Sequence, residues 1–156
     1  MNALVFPFRE IGTGLPAPGT TIEVAPGVHW LRMPLPYQLD HINLWLLEDG
    51  DGWTLVDTGI NRTETKELWH ALFAACGIGA AYGRPARRLI CTHFHPDHMG
   101  LAGWLVEELE IELWTSRAEW LYGRMLWMDQ AGEGQRDIAR HYARHGLDDV
   151  RAAKIF

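Results

Sequence analysis

Three imidazoles and one carboxylate fall within six consecutive residues of this chain, His93-Phe94-His95-Pro96-Asp97-His98. Such a cluster constrains the fold because its side chains can act together only if the backbone turns them towards one point. Arg88-Leu89-Ile90-Cys91, just upstream, reads as a short buried strand. Downstream, apolar residues at helical spacing from Leu101 to Leu109 predict a helix. The cluster therefore sits on a strand-to-helix turn. Pro96 sets its own φ near −65° and biases His95 towards an extended backbone, so the turn is partly rigid before any ligand arrives. His93 and His95, two apart, can point the same way from an extended segment. Asp97 and His98 lie where the chain bends.

Nitrogen and oxygen donors of this kind suit Zn²⁺ and other borderline divalent metals. Their placement favours two adjacent metal positions over one closed site. The competing reading is a histidine-rich loop capping a helix, with Asp97 as the N-cap. Strand, turn and helix all stand in the order a metal-binding turn requires, and that context favours the metal.

His93-Phe94-His95-Pro96-Asp97-His98 resembles the H-x-H-x-D-H signature of the metallo-β-lactamase superfamily. Leu55-Val56-Asp57-Thr58-Gly59 is similar to the strand-end Asp-Thr-Gly segment the family carries upstream. The resemblance implies that His93 and His95 bind a first metal, and Asp97 and His98 a second. It implies two zinc ions in a complete domain, with iron or manganese as the other metals of the group. Asp57 becomes a supporting residue beneath the metal loop, since groups behind the ligands orient them. The implied fold is α/β: the first half of an αβ/βα sandwich, a mixed sheet with helices on one face and a C-terminal helical segment. The family's third histidine, bridging carboxylate and last histidine come from the second half of that fold. Downstream of the motif this sequence has only His141 and His145, in a helical stretch, and neither maps onto those ligands. Residues 1–115 are thus expected to be the N-terminal half carrying the motif, and 116–156 a helical insertion or lid. Metal is expected to bind weakly, to be absent, or to be completed by water or a neighbouring chain.

The remaining pattern fits this organisation. An edge strand is expected near Leu4–Phe8. Thr21–Val24 and Val28–Met33 alternate around Pro26-Gly27 as a hairpin, with His29 on the sheet surface. A second hairpin joins Ile42–Leu47 to Trp53–Asp57 through Asp49-Gly50-Asp51-Gly52. The apolar run 42–47 predicts a central strand covered on both faces. Asn61-x-x-Glu64 has the form of a capping box, opening a helix to about Cys76 with Leu68, Leu72 and Cys76 on one face and Gly77 as its stop. Ile111–Trp114 reads as a strand. Ser116-x-x-Glu119 is another capping box, opening a helix with Trp120, Leu121, Tyr122, Met125, Leu126, Trp127 and Met128. Core packing is the weightier reading of that stripe, with Trp120 and Trp127 as pocket candidates. Gly132-Glu133-Gly134 reads as a hinge, Gln135–His145 as a helix ended by Gly146, and Asp148 as the start of a third. Tyr37 and His41, at the entry to a strand, are candidates for the border of a substrate cleft.

A net charge of −6 argues against a nucleic-acid or anionic-membrane surface. Two cysteines, Cys76 and Cys91, make no disulfide framework and favour the cytoplasm. No stretch reaches the roughly 18 uninterrupted apolar residues of a membrane span. The implied activity is metal-dependent hydrolysis of a small molecule. In it a metal-bound hydroxide attacks an ester, thioester, lactone or related bond, and Asp97 manages the proton of the attacking water. An iron-dependent persulfide dioxygenase and a non-catalytic half-domain are the alternatives. A single sheet would leave Leu44, Leu46, Trp53 and Leu55 without cover. The chain is therefore expected to pair with a second copy or with the missing half.

Overall fold

Turn residues at 26–27 and 49–52 fold the first third of the chain into consecutive hairpins. In a computed structural model, which describes residues 14–129, 133–146 and 148, six strands form one sheet in chain order. They are β1 (Ile22–Ala25), β2 (Val28–Pro34), β3 (His41–Asp49), β4 (Gly52–Val56), β5 (Ala86–Ile90) and β6 (Glu112–Trp114). The first four pair antiparallel, and β4, β5 and β6 run parallel, so the sheet is mixed as expected. The edge strand expected at Leu4–Phe8 and the helix expected from Asp148 lie outside the described residues.

Alternation along β3 sorts its side chains onto two faces. Ile42, Leu44 and Leu46 are buried with Leu31, Met33, Leu55 and Leu89. The chain covers that face itself, using α1 (Thr63–Cys76) and α3 (Ala102–Leu109). Their Trp69, Leu72, Phe73 and Leu105 are fully buried in the same cluster, each stabilising the fold by roughly 1.5–3 kcal/mol through area removed from water. Phe73 of α1 also stacks on Trp104 of α3, so the two helices lie side by side.

This arrangement corrects two expectations. Leu44, Leu46, Trp53 and Leu55 are not bare, because α1 and α3 already lie over them. Nor is β3 covered equally on both faces: Asn43 is exposed and Trp45 and Leu47 are only half-buried. Trp45 and Leu47, apolar on the less covered face, hid that asymmetry.

Helix ends bring further corrections. Arg62, with extended backbone, is the N-cap of α1, and no side chain caps it, so Asn61 and Glu64 form no capping box. The buried stripe of α1 is Thr65, Trp69, Leu72 and Phe73, while Leu68 and Cys76 sit at its margin. Gly77 stops the helix as expected, at φ 68°, its N–H donating to the Phe73 carbonyl. A short helix α2 (Pro96–Met99) precedes α3. Further on come α4 (Arg117–Met128) and α5 (Glu133–Arg144), the latter taking Gly134 into its first turn where a hinge was expected. Contacts divide the chain into two units, Met1–Glu119 and Trp120–Phe156. No helix among the described residues is long and apolar enough to cross a membrane.

Candidate metal centre

The parallel register of β4, β5 and β6 decides where the site forms. Val56, Ile90 and Trp114 lie abreast, so the segments leaving all three strands emerge at one end of the sheet. The backbone stitches them there: Asp57 N–H donates to Ile90 O at 2.8 Å and Cys91 N–H to Trp114 O at 2.9 Å. The motif leaves β5 at this edge. Pro96 opens α2, and His95 before it is extended at φ −58°, ψ 146°, as the proline requires.

Asp57 organises the loop from beneath. It is 4% exposed and holds a left-handed backbone at φ 62°, unusual for a residue with a side chain. Its carboxylate accepts the Thr92 N–H at 2.7 Å and the Thr92 hydroxyl at 2.8 Å. It also meets His98 Nδ1 at 2.8 Å. A carboxylate only accepts, so Nδ1 of His98 carries a proton, and in the neutral ring Nε2 is the nitrogen that presents a lone pair. Thr92 has one hydroxyl proton and donates it to Asp57, so Oγ1 accepts from His93 Nδ1 at 3.0 Å. His93 therefore also presents Nε2. Two long-range contacts thus set the tautomers of two candidate ligands.

Thr58 anchors the far end of the motif. It is fully buried, and both its N–H and its hydroxyl reach His98 O at 2.9 Å. Its own carbonyl accepts the Trp69 indole N–H at 2.7 Å, tying the strand end to α1. Beneath the loop, burial and then the Asp57 charge push the Cys91 thiol up to about 12.

On top of this frame the four motif side chains gather in pairs. His93 Nε2 lies 3.2 Å from His95 Nδ1. His98 Nε2 lies 3.6 Å from Asp97 Oδ2. The rings of His93 and His98 approach to 3.8 Å between centroids, which brings the pairs together. Desolvation, with His98 and His95 adding, holds His93 below the ordinary histidine range and so favours the neutral, ligating form. Among the described residues, no group of three or more His, Cys, Asp or Glu side chains stands so that it could hold a metal ion. The fit to a divalent ion lies in the chemistry of the donor set, three imidazoles and a carboxylate, with the His93 and His98 rings each held from behind through Nδ1.

The pocket candidates are described each in its own surroundings. Tyr37 is 58% exposed, and His41 is hydrogen-bonded to its neighbour Asp40, which lowers the Asp40 carboxyl. Trp120 and Trp127, in the second unit, are 45% and 69% exposed, with Leu121, Tyr122, Met125, Leu126 and Met128 exposed along the same helix. The core role expected for that stripe is therefore not realised among the described residues. His141 and His145 are exposed on and just beyond α5, as a solvated face requires.

Sequence reasoning missed Thr92, Thr58, Trp69 and Glu119. Ser116 caps α4, accepting the Glu119 N–H at 3.2 Å, but Glu119 does not close the box. Its carboxylate instead accepts the Phe94 N–H at 2.8 Å, inside the motif. The signal was present as Ser-x-x-Glu, but its partner was 25 residues away.

The sequence profile of the Metallo-beta-lactamase superfamily matches residues 37–152. The chain belongs to this superfamily. Among solved structures of similar fold, a beta-lactamase domain protein from Burkholderia ambifaria is 44% identical, with a TM-score of 0.71, over 90% of this chain and 43% of that one. A metallo-beta-lactamase family protein from Thermus thermophilus is 28% identical, with a TM-score of 0.61, over 80% of this chain and 40% of that one. The probable metallo-hydrolase YybB of Bacillus subtilis (strain 168) is 32% identical over 81 residues, 52% of this chain and 33% of the relative. YqjP of the same organism, also named a probable metallo-hydrolase, is 26% identical over 99 residues. The chain thus spans about a third of the curated relatives it matches. The superfamily and its mixed α/β fold agree with the resemblance read from the motif.

Proposed function

We propose that this chain contributes part of the metal centre of a hydrolase that cleaves an ester, thioester, lactone or related bond in a small molecule. The observation that carries the reading is the orientation of His93 and His98, each with Nδ1 held from behind and Nε2 turned to another motif side chain, His95 and Asp97 respectively. His93 and His95 would hold one zinc, and Asp97 and His98 a second. When bound, such ions would lower the pKa of a coordinated water to about 7 and polarise the substrate's carbonyl. Asp97, beside His98, is placed to take a proton from the attacking water. Asp57 and Thr92 keep the imidazoles in the ligating tautomer throughout.

The superfamily's other donors are a third histidine, a bridging carboxylate and a last histidine. The four donors of the motif by themselves are proposed to bind metal in exchangeable fashion. Association with a second copy or with the remainder of the fold would complete it. Protein purified without added metal, analysed by mass spectrometry and then titrated calorimetrically with zinc, tests this. Weak zinc binding lost in His93→Ala and His95→Ala is expected. One tightly held zinc per isolated chain would refute the exchangeable site, and zinc uptake unchanged in both variants would refute the ligand set. Turnover of an ester, thioester and lactone panel by a completed, metal-loaded domain tests the chemistry. A fully metallated domain that cleaves none of them would overturn it.

A further inference from the structure

We propose that Glu119 is a positioning residue that sets the spacing of His93 and His95 by clamping the peptide between them. The proposal rests on the metal reading above. The Phe94 N–H belongs to the peptide unit that joins the two histidine-bearing segments. Fixing the plane of that unit restrains ψ of His93 and φ of Phe94, and with them the path of the backbone from His93 towards His95. The Glu119 carboxylate accepts this N–H at 2.8 Å, a bond to a charged acceptor and so among the stronger kinds.

Three observations support the assignment. Register first places the residues together: Ile90 pairs with Trp114 in parallel strands, so the loop after β5 and the first turn of α4 emerge side by side. Glu119 also stands where a capping-box glutamate would turn back to its own helix, yet its carboxylate reaches the motif while Ser116 alone caps. Finally, the Phe94 ring lies edge-on to His95 at 4.8 Å, so a shift of the Phe94 backbone is passed directly to an imidazole. The opposite side of the loop is held by Thr92 on Asp57. The His93–His95 pair is thus gripped from two sides, by carboxylates on different elements.

The test uses the whole chain as wild type, Glu119→Ala, Glu119→Gln and Ser116→Ala. Amide hydrogen exchange at Phe94 is read by NMR in metal-free protein, and cobalt(II) affinity by visible absorbance. Glu119→Ala should speed Phe94 exchange about tenfold or more and weaken cobalt binding roughly tenfold, the lower end for groups behind a ligand. Glu119→Gln keeps an acceptor oxygen and should restore most of both. Ser116→Ala frays the start of α4 but leaves the carboxylate, and should change neither by more than about twofold. Unchanged Phe94 exchange in Glu119→Ala overturns the proposal. So does faster exchange with unaltered cobalt affinity, or a Ser116→Ala protein that behaves like Glu119→Ala. A wild type that binds no cobalt overturns the metal reading, while accelerated Phe94 exchange in Glu119→Ala would still support the clamp.

Discussion

Replacing Asp57 separates the electrostatic from the backbone contribution to the site, because one residue supplies both. Its Oδ1 accepts the Thr92 N–H, and its Oδ2 receives the Thr92 hydroxyl and His98 Nδ1. In Asp57→Asn the amide oxygen can keep the Thr92 N–H, but an NH₂ group now faces two donors. Conflict is relieved if His98 moves its proton to Nε2, the nitrogen otherwise free for metal. Loss of one bond to a charged acceptor costs about 1.5–3 kcal/mol, and metal affinity should fall roughly 10–100-fold. Asp57→Ala also orphans a half-buried N–H and forces alanine into the left-handed region at φ 62°. Together these should bring its cost to about 4–6 kcal/mol. Asp57→Gly removes the backbone strain but gains unfolded-chain entropy, so it should be about 1 kcal/mol less destabilised than Asp57→Ala. Urea denaturation with chelator present, at constant m-value, measures the folding part, and cobalt titration the metal part. If Asp57→Gly is no more stable than Asp57→Ala, the strain argument fails. If Asp57→Asn matches wild type in both assays, the tautomer argument fails.

Thr92→Val should weaken metal binding about tenfold by freeing His93 Nδ1, with Thr92→Ser restoring it, and equal affinity in all three proteins would contradict the relay. Burial raises the Cys91 thiol from 9.0 to about 12, so native Cys91 should resist iodoacetamide at pH 8 and react once unfolded in urea, as peptide mapping can follow. The unfolded thiol ionises first, so its contribution to stability is full below about pH 9 and is lost as pH rises from 9 towards 12; prompt alkylation of the native thiol would contradict this. Gly77→Ala places a Cβ 3.1 Å from the Tyr82 carbonyl at φ 68° and should lower stability by about 1–2 kcal/mol, a cost that a thermal melt equal to wild type would disprove.

Local chemistry made much of this protein legible in one dimension. The hairpin turns, the stop at Gly77, the extended His95 before Pro96 and the strand–turn–helix frame of the motif each depend on residues within a few positions. The four candidate ligands could be named for the same reason, being contiguous. Of what holds them, only Asp57 was named, through the family resemblance, and its partners were not. Asp57 and Thr92 are 35 residues apart, and Phe94 and Glu119 are 25 apart. Neither pair meets until β4, β5 and β6 align in parallel register, because pairing between strands, unlike a turn, has no signature within either strand. Burial followed the same division. Alternation in β2 was visible, whereas the apolar run of β3 concealed which face α1 and α3 would cover. Glu119 shows the limit most plainly: its spacing from Ser116 named a helix start, but only the fold brought a second N–H close enough to claim its carboxylate.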